Sequence, residues 1–128
     1  METPNLDPKQ LAGMIDHTFL KPFGLPDDID KLCAEAGEYG FAMVAVNPAE
    51  VERCVKLLAG SQVRVGAAIG FPLGQSTSAV KEYETEDAIG RGAREIDMVI
   101  NVRALQAGDV DLVRREIEGM VALCRRSQ

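Results

Sequence analysis

Carboxylates inside otherwise apolar strand-like runs carry the chemical information in this 128-residue chain, because an unpaired buried carboxylate is costly. In Glu95-Ile96-Asp97-Met98-Val99-Ile100-Asn101 a period of two puts Glu95, Asp97, Val99 and Asn101 on one face and Ile96, Met98 and Ile100 on the other. The apolar set suits a helix layer, so Asp97 is expected to point away from it, inward and substantially buried, as a group able to move protons in a dry site. The alternative for Asp97 is a carboxylate satisfied by backbone N–H groups at a strand end. Ile15-Asp16-His17-Thr18-Phe19-Leu20-Lys21 behaves alike, with Asp16, Thr18 and Leu20 on one face; its alternative is an Asp–Thr turn with a surface histidine. Ile69-Gly70-Phe71-Pro72-Leu73-Gly74 ends a third apolar run in a turn that lets backbone approach a ligand.

Other chemistries lack their residues. One histidine and three scattered cysteines, Cys33, Cys54 and Cys124, give no metal-ligand set, and neither a Walker loop nor a G-x-G-x-x-G run is present. No metal or cofactor is expected, and the cysteines read as reduced core thiols. A net charge of −6, two Tyr, four Phe and no Trp argue against nucleic acid as a partner. No apolar run of membrane-spanning length occurs and Met1–Gln10 does not resemble a targeting peptide, so the expected location is cytoplasmic.

Four strand-then-helix units would position these residues. Asp7-Pro8-Lys9-Gln10 opens a short helix with a capping box. Strands are expected over 14–21, 41–46, 63–71 and 96–100. Helices follow from Pro26 (stripe Ile29, Leu32, Cys33, Ala36), from a second capping box at Asn47-Pro48-Ala49-Glu50, from Ser76–Ser78 through Glu86, and from Asp109 (stripe Val113, Ile117, Met120, Val121, Cys124). With 46% hydrophobic residues the chain reads as one α/β domain over residues 1–128 with a parallel sheet. An eight-unit barrel needs about 200–250 residues, so four units make half a (βα)8 TIM barrel, with strand order 1-2-3-4. An order of 2-1-3-4 would instead mark an open flavodoxin-like sheet and a non-catalytic ligand-binding domain.

Asp16-His17-Thr18-x-Leu20-Lys21-Pro22, Val44-x-Val46-Asn47-Pro48, Ile69-Gly70-Phe71-Pro72-Leu73-Gly74 and Glu95-Ile96-Asp97-Met98-Val99-Ile100-Asn101 occur in one order and at one spacing. Together they resemble the 2-deoxyribose-5-phosphate aldolase family, from about Leu11 to Leu123, over the first half of that enzyme. The resemblance implies a class I, Schiff-base lyase that joins acetaldehyde to D-glyceraldehyde 3-phosphate reversibly, without a metal, in deoxyribonucleotide catabolism. It implies that Asp97 is the acid–base residue and that Asp16 and Thr18 line the sugar pocket. Ala45 stands where many members carry a pocket cysteine. The imine-forming lysine, a second lysine and the phosphate site belong to the family's second half, outside these 128 residues, and Lys21 matches a different family lysine. The expectation is therefore a chain inactive alone. It would pair as a two-fold homodimer completing eight strands, or act as one half of a split aldolase beside a second chain. Any substrate would be a small phosphorylated sugar or aldehyde.

Overall fold

The computed structural model describes residues 6–127. It contains α1 (Pro8–Ala12), β1 (Asp16–Phe19), α2 (Pro26–Tyr39), β2 (Met43–Val46), a 3-10 turn (Pro48–Glu50), α3 (Val51–Leu57), β3 (Arg64–Ile69), α4 (Ser78–Gly90), β4 (Glu95–Met98), α5 (Val102–Gln106) and α6 (Val110–Arg126). The four strands pair in parallel in the order β1-β2-β3-β4. That is the succession expected of half a (βα)8 barrel, and it excludes the flavodoxin-like 2-1-3-4 arrangement.

Strand parity divides the sheet. Val44, Val46, Val65, Ala67 and Ile69 lie in one apolar core with Ile29, Leu32, Cys33 and Ala36 of α2, Val51 and Cys54 of α3, Ala88 of α4 and Met120 of α6. Phe19, Ile96 and Met98 pack against that core from the outer strands. The predicted α2 stripe is thus the buried one. Its first turn is closed by Asp28, whose carboxylate accepts from the Leu25 N–H at 2.8 Å.

Four local expectations are corrected. Asn47 makes no side-chain cap, and the chain takes a 3-10 turn before α3 starts at Val51. Helix α4, capped by the Thr77 hydroxyl, runs four residues past Glu86 to Gly90. α5 was not foreseen: Asn101 caps it by accepting from the Ala104 N–H at 3.0 Å. On α6 the buried stripe is Val113, Glu116, Met120 and Leu123, whereas Ile117 and Val121 face solvent. The helix is rotated because Glu116 has an ionic partner in the core: Lys81 of α4, fully buried, donates from Nζ to Glu116 Oε2 at 3.0 Å. No helix among the described residues is long and apolar enough to cross a membrane.

Candidate functional site

The opposite face of the sheet has no helix layer over it. Register places Thr18, Ala45, Gly66 and Glu95 in one row across the four strands, with Asp16 one pleat toward the strands' N-terminal ends and Asp97, opposite Ala68, one pleat toward their C-terminal ends. A cavity of about 380 Å³ opens here, lined by Asp16, Thr18, Ala45, Ala68, Phe71 and Asp97. Asp16 and Asp97 stand on the two outer strands, offset by three strand spacings across the sheet and by two pleats along it. All four site residues singled out from the sequence, Asp97, Asp16, Thr18 and Ala45, therefore share one concavity.

Their burial differs from expectation. Ala45 is buried, but Asp97, Asp16 and Thr18 are exposed. The inward direction of Asp97 holds and its burial does not, because four strands cannot curl around to cover their own concave face. Among the described residues neither the Asp97 nor the Asp16 carboxylate has a hydrogen-bond or ion-pair partner, so the strand-end alternative for Asp97 has no bond to support it. Thr18 donates its hydroxyl to the Asp16 carbonyl at 2.9 Å. On the same face Arg64 and Glu95 pair at 2.8 Å, which leaves Asp97 as a free carboxylate near the cavity's C-terminal rim.

His17 and Lys21 lie elsewhere. His17 points to the helix side, 2.8 Å from Glu35, with its ring edge-on to Phe41; the His17 hydrogen bond holds the Glu35 carboxyl below its usual range. Lys21 lies over the ring of Phe19, which packs on the helix side, and does not line the cavity. The remaining lysines, Lys9, Lys31, Lys56 and Lys81, all stand on helices. No lysine among the described residues faces Asp97 across the cavity.

Sequence reasoning did not single out Phe71 as a cavity wall or the groups that hold its turn. The Gly70 N–H donates to Glu84 at 2.8 Å, and the aliphatic stem of Lys81 runs beneath Gly70, where a Cβ would come within 3.2 Å of it. Gly70 and Gly74 are both left-handed, at φ 66° and 64°, a conformation that costs glycine little. The signal for the buried pair was present: Glu116 falls at helical spacing between Val113 and Met120.

The likeness to known proteins bears on this geometry. The deoxyribose-phosphate aldolase of Bacteroides thetaiotaomicron is 70% identical over 121 residues, which cover 94% of this chain and 51% of that protein. The chain looks like the N-terminal half of a deoxyribose-phosphate aldolase. Among solved structures, a Coccidioides immitis protein assigned as a deoxyribose-phosphate aldolase superposes with a TM-score of 0.91 at 38% identity, covering 96% of this chain and 49% of that one. The deoxyribose phosphate aldolase of Aeropyrum pernix, described as tetrameric, gives 0.84 at 32% identity, with 94% and 50% covered. No protein-family model matches the chain. The chain thus spans about half the length of the curated relatives it matches.

Proposed function

We propose that the chain supplies the acid–base half of a deoxyribose-phosphate aldolase site, for the reversible cleavage of 2-deoxy-D-ribose 5-phosphate to D-glyceraldehyde 3-phosphate and acetaldehyde. The observation that carries this reading is the free Asp97 carboxylate on the same open face as Asp16, Thr18 and Ala45. Asp97 exchanges protons with the reacting carbons through water, while Asp16 and Thr18 receive the sugar hydroxyls. The 128 residues act as one folding unit in the cytoplasm, a compartment that suits three unpaired cysteines, within deoxyribonucleotide breakdown.

The imine step needs an amine facing the cavity. Lys21 is turned toward the helix side and the other lysines are helical, so the chain by itself does not form the Schiff base. Two chains close as a two-fold dimer of eight strands, β4 of each against β1 of the other, and this dimer still brings no lysine from β2 or β3 to the interior. Arg64 on β3 offers a guanidinium in place of an amine, and its side chain is held by Glu95 at 2.8 Å. Aldol turnover requires the second half of a relative's barrel, and the chain is then one half of a split enzyme.

Borohydride reduction in the presence of deoxyribose 5-phosphate, read by intact mass, tests this. No adduct is expected on the chain alone. Mixed with the second half of the Bacteroides thetaiotaomicron relative, it is expected to gain cleavage activity that Asp97→Asn lowers by about 10²–10⁴-fold. A stoichiometric adduct at Lys21 of the isolated chain, abolished by Asp97→Asn, would make the half barrel an aldolase in its own right and end this reading.

A further inference from the structure

The turn that carries Phe71 is fixed at both of its glycines. The Gly70 N–H donates to Glu84 Oε2 at 2.8 Å, and the Gly70 carbonyl accepts from the Gly74 N–H at 2.7 Å. Gly74 lies so close to the Ile100 carbonyl that no Cβ would fit between them. Just before the turn, the Ile69 carbonyl accepts from the N–H of Val99, two residues beyond Asp97, at 2.9 Å. Phe71 is thus tied through backbone to the strand that carries Asp97, and the two residues line one cavity.

Helix α4 supports this turn with Lys81 and Glu84, which stand three positions apart and so on one helix face. Lys81 is fully buried, an expensive place for an ammonium that a Leu or Met would avoid. What the lysine adds is a stem anchored at its far end. Its Nζ donates to Glu116 Oε2 at 3.0 Å, and the Ser78 hydroxyl holds the other Glu116 oxygen at 3.2 Å. Between anchor and helix, Cγ, Cδ and Cε lie 3.2–3.6 Å from where a Gly70 Cβ would stand. The stem is therefore laid flat beneath the turn.

We infer that Glu84 and the anchored Lys81 are positioning residues, which fix the Gly70–Gly74 turn and so hold Phe71 in the cavity wall beside Asp97. The inference rests on the acid–base reading proposed above and adds the residues that stand behind its site. It also gives the buried Lys81–Glu116 pair a use other than stability: it defines where one turn sits. Neither residue touches the reacting atoms. Their effect on turnover passes through the turn, where misplacement by about 1 Å can cost about 10²-fold.

Fluorine resonances test the placement in the chain alone. With 4-fluorophenylalanine each of Phe19, Phe23, Phe41 and Phe71 gives one signal, and Phe19 and Phe41, packed against the helix-side core, serve as controls. Glu84→Ala is expected to shift or broaden the Phe71 signal and leave both controls in place. Glu84→Gln, which keeps an acceptor for Gly70, is expected to retain the wild-type signal. Lys81→Met with Glu116→Leu is expected to keep the melting temperature and still move Phe71. Mixed with the second half of the Bacteroides thetaiotaomicron relative, Glu84→Ala and the double variant are expected to lower kcat about tenfold with KM within twofold, and Glu84→Gln to recover it. A Phe71 signal that neither change moves would overturn the inference. So would a moved signal with kcat unchanged, or controls that move as far as Phe71, since both would make the contacts general architecture. A wild-type mixture without activity would overturn the aldolase reading, and the fluorine signals alone would then decide whether α4 fixes Phe71.

Discussion

The two faces of the sheet solve opposite problems with the same strands. On the helix side every strand contributes apolar residues, and the charges that enter are matched: Lys81 and Glu116, both nearly inaccessible, bond each other, and the Ser78 hydroxyl donates to the second Glu116 oxygen at 3.2 Å. On the concave side two carboxylates stand without protein partners and in water. Folding free energy is drawn from the first face and the proposed chemistry from the second. The difference teaches that a residue's alternation along a strand says which face it joins, while its environment depends on what the rest of the molecule lays over that face.

The largest expected effect breaks the helix side. Glu116→Ala leaves the Lys81 ammonium buried without its counter-charge, and removing one partner of such a pair costs about 3–5 kcal/mol. Replacing both, Lys81→Met with Glu116→Leu, is expected to be neutral or stabilising, because burial of the two charges was itself expensive. Urea unfolding of the two variants beside the wild type reads the contrast. A Glu116→Ala chain as stable as the wild type would mean that α4 and α6 separate readily enough to hydrate Lys81.

Next comes the turn that links the faces. At Gly74 a Cβ would collide with the Ile100 carbonyl, and the residue is left-handed besides. Gly74→Ala is therefore expected to cost more than the ~1–3 kcal/mol of backbone strain alone, and to displace the loop carrying Phe71. Gly60→Ala, at φ 81° with open space around it, is expected to show only the strain. Equal melting shifts for the two variants would remove the steric argument.

Most of the fold and the membership of the site were legible in the sequence, for physical reasons that also mark where reading fails. Continuous apolar runs announced the strands, and Ile29, Leu32, Cys33 and Ala36 announced the buried side of α2, because these signals are local. The rotation of α6 was missed because Glu116 looks like a surface residue until Lys81, thirty-five positions earlier, is folded against it. α5 was missed because five residues are too few for a periodic pattern and only Asn101 marks its start. Parity pointed to the faces of Asp97 and of Asp16 with Thr18, the resemblance added Ala45, and all four line one cavity. The burial of Asp97 was misjudged because it depends on strands that are not among these four.

A smaller effect appears in acid, at the β1 edge. The His17 hydrogen bond holds the folded Glu35 carboxyl below its ordinary value of 4.5. Between the folded value and 4.5 the unfolded chain binds the extra proton, so stability rises with pH there. The contribution is complete above the ordinary value and is lost as pH falls through the folded one. His17→Phe is expected to flatten this part of the profile by lowering the plateau above it, while stability below the folded value changes least. An unchanged acid slope would show that Lys31, 3.7 Å from Glu35, suffices to hold the carboxylate.

The smallest effect on stability is expected at the residue with the largest proposed role. Asp97 is exposed and bonded to nothing among the described residues, so Asp97→Asn removes no folded-state interaction and should change unfolding free energy by no more than about 0.5 kcal/mol. A carboxylate serving as a strand-end cap would behave otherwise. Asp97→Asn would then keep an acceptor oxygen but give up the charge that strengthens such bonds, a loss of about 1 kcal/mol. Urea unfolding of Asp97→Asn beside Asp16→Asn separates these cases, since both residues lie on the open face and neither has a partner. A loss of that size confined to Asp97→Asn would assign the residue to the architecture of β4 and remove the free carboxylate from the proposed acid–base role. Two silent substitutions would leave these two carboxylates of the concave face contributing nothing to the fold and available for work on a bound sugar.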